Sequence, residues 1–141
     1  MTPYFCHFAF PALLNHGETQ FVLDQYRKCW GWALQDGRTT WLEVFDTRWS
    51  HCHEWSGCPT WQLTKYILGL QTNLSDPLAD FTLNIHPGDL EWAHGQVPKP
   101  NGDIVGIDWQ RTNGRIVVTV NPGKSPIRLR LPDRSIRIIS A

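Results

Sequence analysis

The sequence predicts an α+β protein, with helices in the first half and an antiparallel β-sandwich in the second. Up to about residue 72, apolar side chains recur at the spacing of an amphipathic helix, and beyond it they alternate with polar ones as in strands. Two Asn-Gly pairs, at residues 101–102 and 113–114, are typical of hairpin turns. We therefore divide the chain into residues 1–72 and residues 73–141.

Three helices are expected in the first part. The first runs from Pro3, a favoured opening residue, to Asn15, with Gly17 just beyond its end. The second runs from about Glu18 to Leu34, and the third from the Cys58-Pro59 region to Gly69. The side chains predicted to face inward on these two helices are Val22, Tyr26, Cys29 or Trp30, Ala33, Leu63, Tyr66, Ile67 and Leu70. Trp30 and Trp32 are assigned to the helical core.

About six short strands are expected in the second part, each with one apolar face. They lie near residues 81–85, 90–94, up to about 110, 116–120, 127–131 and 136–138. Such a series fits a β-sandwich. Trp92 and Trp109 are assigned to its core.

Composition excludes several classes of partner. The formal net charge is zero and no basic patch is present, so we expect no nucleic-acid partner. No apolar run approaches the roughly 18 residues of a membrane span, and residues 1–5 lack the features of an export signal. The four cysteines are interpreted as mostly reduced, small apolar residues, which leaves the cellular compartment open.

The segment 37–61 carries the most chemical information. Six of the eight tryptophans lie between residues 30 and 61, and this segment adds the carboxylate of Glu43 and the imidazole of His53. A carboxylate can activate water, an imidazole can bond to hydroxyls, and indoles such as those of Trp41 and Trp55 offer flat faces to a sugar ring. This combination is typical of a sugar-cleaving site on a loop between helices.

Other residues in this segment favour simpler interpretations. Asp46 is expected to orient the loop or a neighbour. His51, Cys52, His53 and Cys58 lie in one eight-residue window, without the second ligand pair of a structural zinc site. We therefore predict no metal and no cofactor.

Several motifs resemble those of the bacterial-type α-L-rhamnosidases. They are the Thr-Thr-x-x-Glu element ending at Glu43, the Ser-x-x-His element ending at His53, Leu-Gly-Leu at 68–70 and Val-Pro-x-Pro-x-Gly at 97–102. They occur in the family's order, and the resemblance extends from Thr2 to about Pro132.

The resemblance implies an inverting glycosidase built on an (α/α)6 six-hairpin barrel. Residues 1–72 would be the last helices of that barrel, and residues 73–141 the β-sandwich domain that follows it. The family's general base corresponds to Glu43 and its sugar-facing histidine to His53, whereas Trp41 and Trp55 fall where aromatic wall residues are expected. The partner implied is a glycoside or polysaccharide carrying terminal L-rhamnose.

One departure from the family matters for activity. The family's general acid is a carboxylate in an earlier part of the barrel that has no counterpart here, so a missing N-terminal barrel portion is the second expected partner. We expect residues 1–141 alone to be inactive. The alternatives left open are a non-catalytic carbohydrate-binding or structural module and the remnant of a disrupted gene.

Overall fold

The computed structural model describes residues 1–35 and 37–141. Its architecture is α+β, as predicted, and it comprises two compact units, residues 1–62 and 63–141. The division at residue 72 between a barrel and a sandwich stays a prediction. Within the described residues, no helix is both long enough and apolar enough to cross a membrane.

The first unit is helical, apart from a long loop before its last helix. Its helices are α1 (Pro3–Asn15), α2 (Thr19–Gln25), a π-helical turn (Tyr26–Trp30), α3 (Gly31–Leu34), a 3₁₀ turn (Glu54–Gly57) and α4 (Cys58–Gln62). Thr2 caps α1 by accepting a hydrogen bond from the N–H of Phe5, and Pro3 occupies the first turn. The helices expected over 3–15 and 18–34 are therefore present, the second interrupted by the π-helical turn.

An aromatic cluster forms the centre of this unit. The buried rings of Phe10 and Tyr26 lie 5.4 Å apart, and those of Tyr26 and Trp30 lie 5.5 Å apart. The buried amide of Gln62 donates to the carbonyl of Cys6 and accepts from the Tyr26 hydroxyl, so its polar atoms are satisfied. Tyr26 and Trp30 were correctly assigned to the inward face.

Trp32 is more than one-third exposed, so its assignment to the core was wrong. Residues two apart on a helix point in different directions, and the burial of Trp30 therefore directs Trp32 toward solvent.

The second unit opens with a helical segment and continues as seven strands in two sheets. The π-helical segment Leu63–Leu68 is followed by β1 (Leu70–Thr72), β2 (Phe81–Leu83), β3 (Trp92–Pro98), β4 (Ile104–Thr112), β5 (Arg115–Asn121), β6 (Ile127–Arg130) and β7 (Ile136–Ile139). One sheet has the order β1-β2-β6-β7 and the other β3-β4-β5. The pairing of β2 with β6 is parallel, which corrects the expectation of an all-antiparallel sandwich. A long connection allows it, because more than 40 residues separate β2 from β6.

Both sheets contribute to one apolar core. Its buried members are Leu68, Leu70, Phe81, Leu83, Val97, Val105, Ile107, Ile127 and Leu129. Leu70 is buried as predicted, although it lies in a strand rather than a helix, whereas Leu63 is exposed, contrary to its predicted inward position. Gly69 precedes β1 with φ +82°, where a Cβ would lie 2.9 Å from the backbone oxygen of Asn84, so this transition requires glycine.

The two tryptophans assigned to the sandwich core differ in position. Trp109 is buried, and its indole N–H donates to the carbonyl of Ile67 over 2.9 Å. Trp92 is 66% exposed, so its assignment to the core was wrong. It pairs with Gln110, the neighbour of Trp109 on β4, and opposed residues of paired strands lie on the same face of the sheet.

The Asn-Gly pairs both lie in hairpin connections. Asn113 and Gly114, with φ of 51° and 75°, join β4 to β5 as a two-residue turn, as predicted. The connection from β3 to β4 is longer than the two-residue turn expected, since it spans residues 99–103. The N–H of Lys99 donates to the carbonyl of Asp103, and this bond encloses residues 100–102.

Candidate functional site

The loop of residues 37–53 folds back on itself and brings Glu43 beside His53. The N–H of Glu43 donates to the carbonyl of Ser50 over 2.9 Å, and the N–H of His53 donates to the carbonyl of Trp41 over 3.0 Å. Thr40 adds a hydroxyl hydrogen bond to the carbonyl of His51. These bonds join segments 41–43 and 50–53, so Glu43 and His53, ten residues apart in sequence, become neighbours.

The segment that carries Glu43 is anchored from the helical core. The indole N–H of Trp30 donates to the carbonyl of Ser56 over 2.7 Å, and the hydroxyl of Ser56 donates to the carbonyl of Leu42 over 2.5 Å. Ser56 and Leu42 are each only 2% exposed. The backbone directly before Glu43 is therefore held by a buried hydrogen-bonded chain that begins on the π-helical turn.

Glu43 and His53 form a close but open pair. The His53 Nε2 atom lies 4.0 Å from a carboxylate oxygen of Glu43, and each side chain is 25% exposed. This separation exceeds a hydrogen bond, and a water molecule or a hydroxyl group can bridge such a gap. The other ring nitrogen of His53, Nδ1, is buried and has no hydrogen-bond partner among the described residues. A buried polar atom of this kind is costly unless a ligand or water satisfies it.

Trp55 completes this cluster, and Trp41 lies beside it. The rings of His53 and Trp55 have centroids 4.5 Å apart, and the Trp55 indole N–H donates to the carbonyl of Glu43 over 3.2 Å. Trp41 is half-buried with its indole beside Gly57. The structure thus brings the side chains of Glu43, His53 and Trp55 together, whereas Trp41 is joined to His53 through its backbone carbonyl. The roles of these residues in binding or catalysis stay predictions.

Sequence reasoning missed the contribution of helix α1 to this cluster. The rings of Tyr4 and Trp55 are 5.5 Å apart in an edge-on contact, and Phe8 lies a further 5.6 Å from Tyr4. Both side chains from α1 are mostly exposed. Tyr4 and Phe8 are four residues apart, so they share one side of α1, away from its buried residues. This spacing was the signal in the sequence that could have indicated a second aromatic surface.

His7 of helix α1 also supports Trp55. Its Nδ1 accepts from the indole N–H of Trp61 over 3.2 Å, and its Nε2 lies 2.5 Å from the carbonyl of Trp55. Since Nδ1 is the acceptor, Nε2 carries the proton and donates to that carbonyl.

Asp46 is committed to the loop turn, in agreement with its predicted orienting role. Its carboxylate accepts hydrogen bonds from the backbone and the guanidinium of Arg48. These hydrogen bonds lower the pKa of Asp46 to about 2. Because it stays ionised near neutral pH, Asp46 is a poor candidate for a general acid.

The cysteines are divided between the core and the surface. Cys6 and Cys58 are buried, and burial raises the pKa of their thiols to about 11 and about 12. Cys29 is half-buried and Cys52 is exposed, so the interpretation as small apolar residues fits Cys6 and Cys58 but not Cys52. Within residues 1–35 and 37–141, no three His, Cys, Asp or Glu side chains come together to hold a metal ion.

The comparison with solved structures gives a rhamnosidase-like fold. No protein-family model and no curated protein matches the sequence. The chain is similar to a GH78 family rhamnosidase of Bacillus sp. GL1, with 27% identity and a TM-score of 0.74. The match covers 94% of this chain but only 15% of the rhamnosidase chain. The similarity therefore extends through both compact units and corresponds to a small part of the larger enzyme.

Proposed function

We propose that this chain supplies part of the active site of an inverting α-L-rhamnosidase-like glycoside hydrolase. The observation that carries the proposal is the Glu43–His53–Trp55 cluster, formed by the Thr-Thr-x-x-Glu and Ser-x-x-His motifs. The similarity to a GH78 family rhamnosidase supports it. In this proposal residues 1–72 belong to an (α/α)6 barrel whose other helices lie outside this sequence.

Glu43 acts as the general base in the proposed reaction. Its carboxylate takes a proton from a water molecule that attacks the anomeric carbon on the face opposite the leaving oxygen. The bond to the leaving oxygen breaks as a second carboxyl group protonates that oxygen, and the sugar is released with inverted configuration. In inverting enzymes the two carboxyl groups stand about 6.5–9.5 Å apart. The acid comes from the remainder of the barrel, so residues 1–141 alone are expected to be inactive.

His53 and the two tryptophans hold the sugar. A sugar hydroxyl that forms a hydrogen bond with the imidazole of His53 is held next to the carboxylate of Glu43. Trp55 and Trp41 supply indole surface for the apolar faces of the ring and for the methyl group of L-rhamnose.

The second candidate is carbohydrate binding without cleavage. The aromatic extension from Trp55 to Tyr4 and Phe8 favours it, because such a surface binds sugars whether or not a general acid is present. The two candidates differ in whether Glu43 affects turnover or only binding.

A chimera tests the proposal. Residues 1–141 replace the matching part of the Bacillus sp. GL1 rhamnosidase, and hydrolysis of an aryl α-L-rhamnoside is measured. Glu43→Gln preserves shape but removes basicity, so we expect kcat to fall about 10²–10⁴-fold with a smaller change in KM. Glu54→Gln, which neutralises an exposed carboxylate at the start of the 3₁₀ turn, is the matched control and should stay near the parent rate. A near-normal kcat in Glu43→Gln would show that Glu43 is not the base.

A further inference from the structure

The outer face of the sheet β3-β4-β5 carries side chains that the proposed reaction does not use. The strand register places Trp92, Gln110 and Val117 in one row across the sheet, and His94, Asp108 and Thr119 in the next. These two rows line an open groove of about 340 Å³. The side chains of the intervening residues Ala93, Trp109 and Val118 lie on the core side of the sheet, and Ala93 and Trp109 also border the groove.

Trp92 dominates this face. It is 66% exposed, and the nearby ring of His94 lies 6.4 Å away at a tilt of 33°. A large aromatic surface in water is unfavourable, and Trp is the residue whose flat face and N–H suit a partner that is apolar on one side and polar on the other. A pyranose ring has this character, with C–H groups on its faces and hydroxyls at its edge.

Within the described residues, the carboxylate of Asp108 makes no hydrogen bond and no ion pair. Asp24, Asp46, Asp76, Asp80, Asp103 and Asp133 all accept side-chain or backbone hydrogen bonds. For Asp108, Gln110 and Thr119, by contrast, the described part of the chain provides no side-chain hydrogen bond. Three hydrogen-bonding groups of different type are therefore available beside an exposed indole.

The charge of the groove disfavours anionic ligands and favours neutral ones. Its lining contains one carboxylate and no lysine or arginine, so it does not suit phosphate groups, nucleic acids or other anions. Carboxylate and amide oxygens accept hydrogen bonds from hydroxyls, and the amide N–H₂ of Gln110 and the hydroxyl of Thr119 can also donate. A neutral, hydroxyl-rich ligand satisfies all of these groups.

We propose that the outer face of β3-β4-β5 is a carbohydrate-binding surface for neutral sugars. Trp92 is its stacking platform, and Asp108, Gln110 and Thr119 are its hydrogen-bonding groups. The surface requires none of the residues around Glu43, so the proposal stands whether or not the chain takes part in hydrolysis.

The test is a titration of the ¹⁵N-labelled full chain followed by amide and indole NMR signals. The probes are methyl α-L-rhamnopyranoside, methyl β-D-galactopyranoside and cellotetraose. We expect at least one probe to shift the Trp92 indole signal and the amides of Asp108, Gln110 and Thr119, with a Kd on the order of 1 mM. Trp92→Ala should weaken this binding at least about tenfold, and Gln110→Ala should weaken it by a smaller factor.

Two variants control for exposed aromatic surface and for the other site. Trp49→Ala removes an indole that is 58% exposed on the 37–53 loop and should leave the shifts unchanged. Glu43→Gln should also leave them unchanged, which separates this surface from the proposed active site. If no probe shifts the signals of this face, or if the shifts persist in both Trp92→Ala and Gln110→Ala, the proposal is wrong.

Discussion

Ser56 connects the helical core to the residue proposed as the base. Its buried hydroxyl donates to the carbonyl of Leu42, and its own carbonyl accepts from Trp30. Ser56→Ala would leave the carbonyl of Leu42 without a partner in a buried position. Such a loss costs about 1–3 kcal/mol. We therefore expect the free energy of unfolding, measured by urea denaturation of the full chain, to fall by about this amount.

Ser50→Ala is the matched control for this prediction. Ser50 is exposed, and its hydroxyl makes only a long contact of 3.4 Å with the N–H of Cys52. Substitutions at such positions usually change stability by no more than about 0.5 kcal/mol. Equal stabilities for the two variants would mean that the Ser56 hydrogen bond does not hold the loop.

The predictability of single residues depended on the type of signal. Motif spacing identified Glu43 and His53, and the structure places them side by side. Amphipathic spacing alone did not settle which tryptophans are buried. Trp30 and Trp109 occupy the inward positions of their elements. Because this fixes which side of the helix or sheet faces the core, the nearby Trp32 and Trp92 face solvent. Tyr4 and Phe8 were missed because their link to Trp55 exists only in the folded unit.

At the level of elements, features set by adjacent residues were predicted better than pairings between distant segments. The Asn113–Gly114 turn and its two strands were predicted from adjacent residues. The parallel pairing of β2 with β6 joins segments far apart in sequence, and no local pattern specifies it. Residues 70–72 follow a helical segment and pair with β2, although their apolar pattern fits a helix equally well.

The Lys99–Asp103 ion pair lies in the connection between β3 and β4, and hydrogen bonds link both residues to the β5–β6 connection. Lys99 Nζ lies 2.9 Å from a carboxylate oxygen of Asp103 and 2.7 Å from the carbonyl of Ser125, and its side chain is only 7% exposed. The Lys99 ammonium, together with the N–H groups of Ile104 and Lys124, holds the pKa of Asp103 well below its ordinary value of about 3.9. These contacts thus favour the ionised carboxylate in the folded chain.

Asp103 should therefore contribute stability that depends on pH. A carboxylate whose pKa is lower in the folded state stabilises it above the unfolded pKa, and the contribution is lost as the pH falls below about 4. We expect Asp103→Asn to lower the urea midpoint at pH 7, and the difference from the parent chain to shrink toward pH 2. Asp108→Asn, which removes a carboxylate that makes no ion pair within the described residues, is the control. A difference that is the same at both pH values would contradict the assignment.

At the level of the whole molecule, the two units differ in the kind of apolar side chain they expose, because the exposed set is mostly aromatic in residues 1–62 and mostly aliphatic in residues 63–141. In residues 1–62 the large apolar side chains with high exposure are Met1, Tyr4, Phe5, Phe8, Phe21, Trp32, Leu34, Trp49 and Trp61. Exposed apolar surface of this extent is typical of an association site. This is the surface that the proposed barrel would cover.

Hydrogen exchange of the full chain should distinguish the two units. The second unit has two sheets around one core, whereas the first relies on short helices and a loop. We expect slower amide exchange in residues 80–141 than in residues 1–62. Equal protection of both units in a clean monomer would show that the helical unit needs no further helices for stability.

The central claim, that Glu43 is the base of an inverting reaction, is tested most directly by the configuration of an azide product. In the chimeric enzyme, Glu43→Ala removes the base and leaves space for azide, which attacks without deprotonation. Cleavage of an aryl α-L-rhamnoside is followed by the NMR signals of the anomeric protons. We predict that hydrolysis is lost, that azide restores cleavage, and that the product is the β-L-rhamnosyl azide, inverted at the anomeric carbon. An α-L-rhamnosyl azide, or hydrolysis by Glu43→Ala at the parent rate, would contradict the claim.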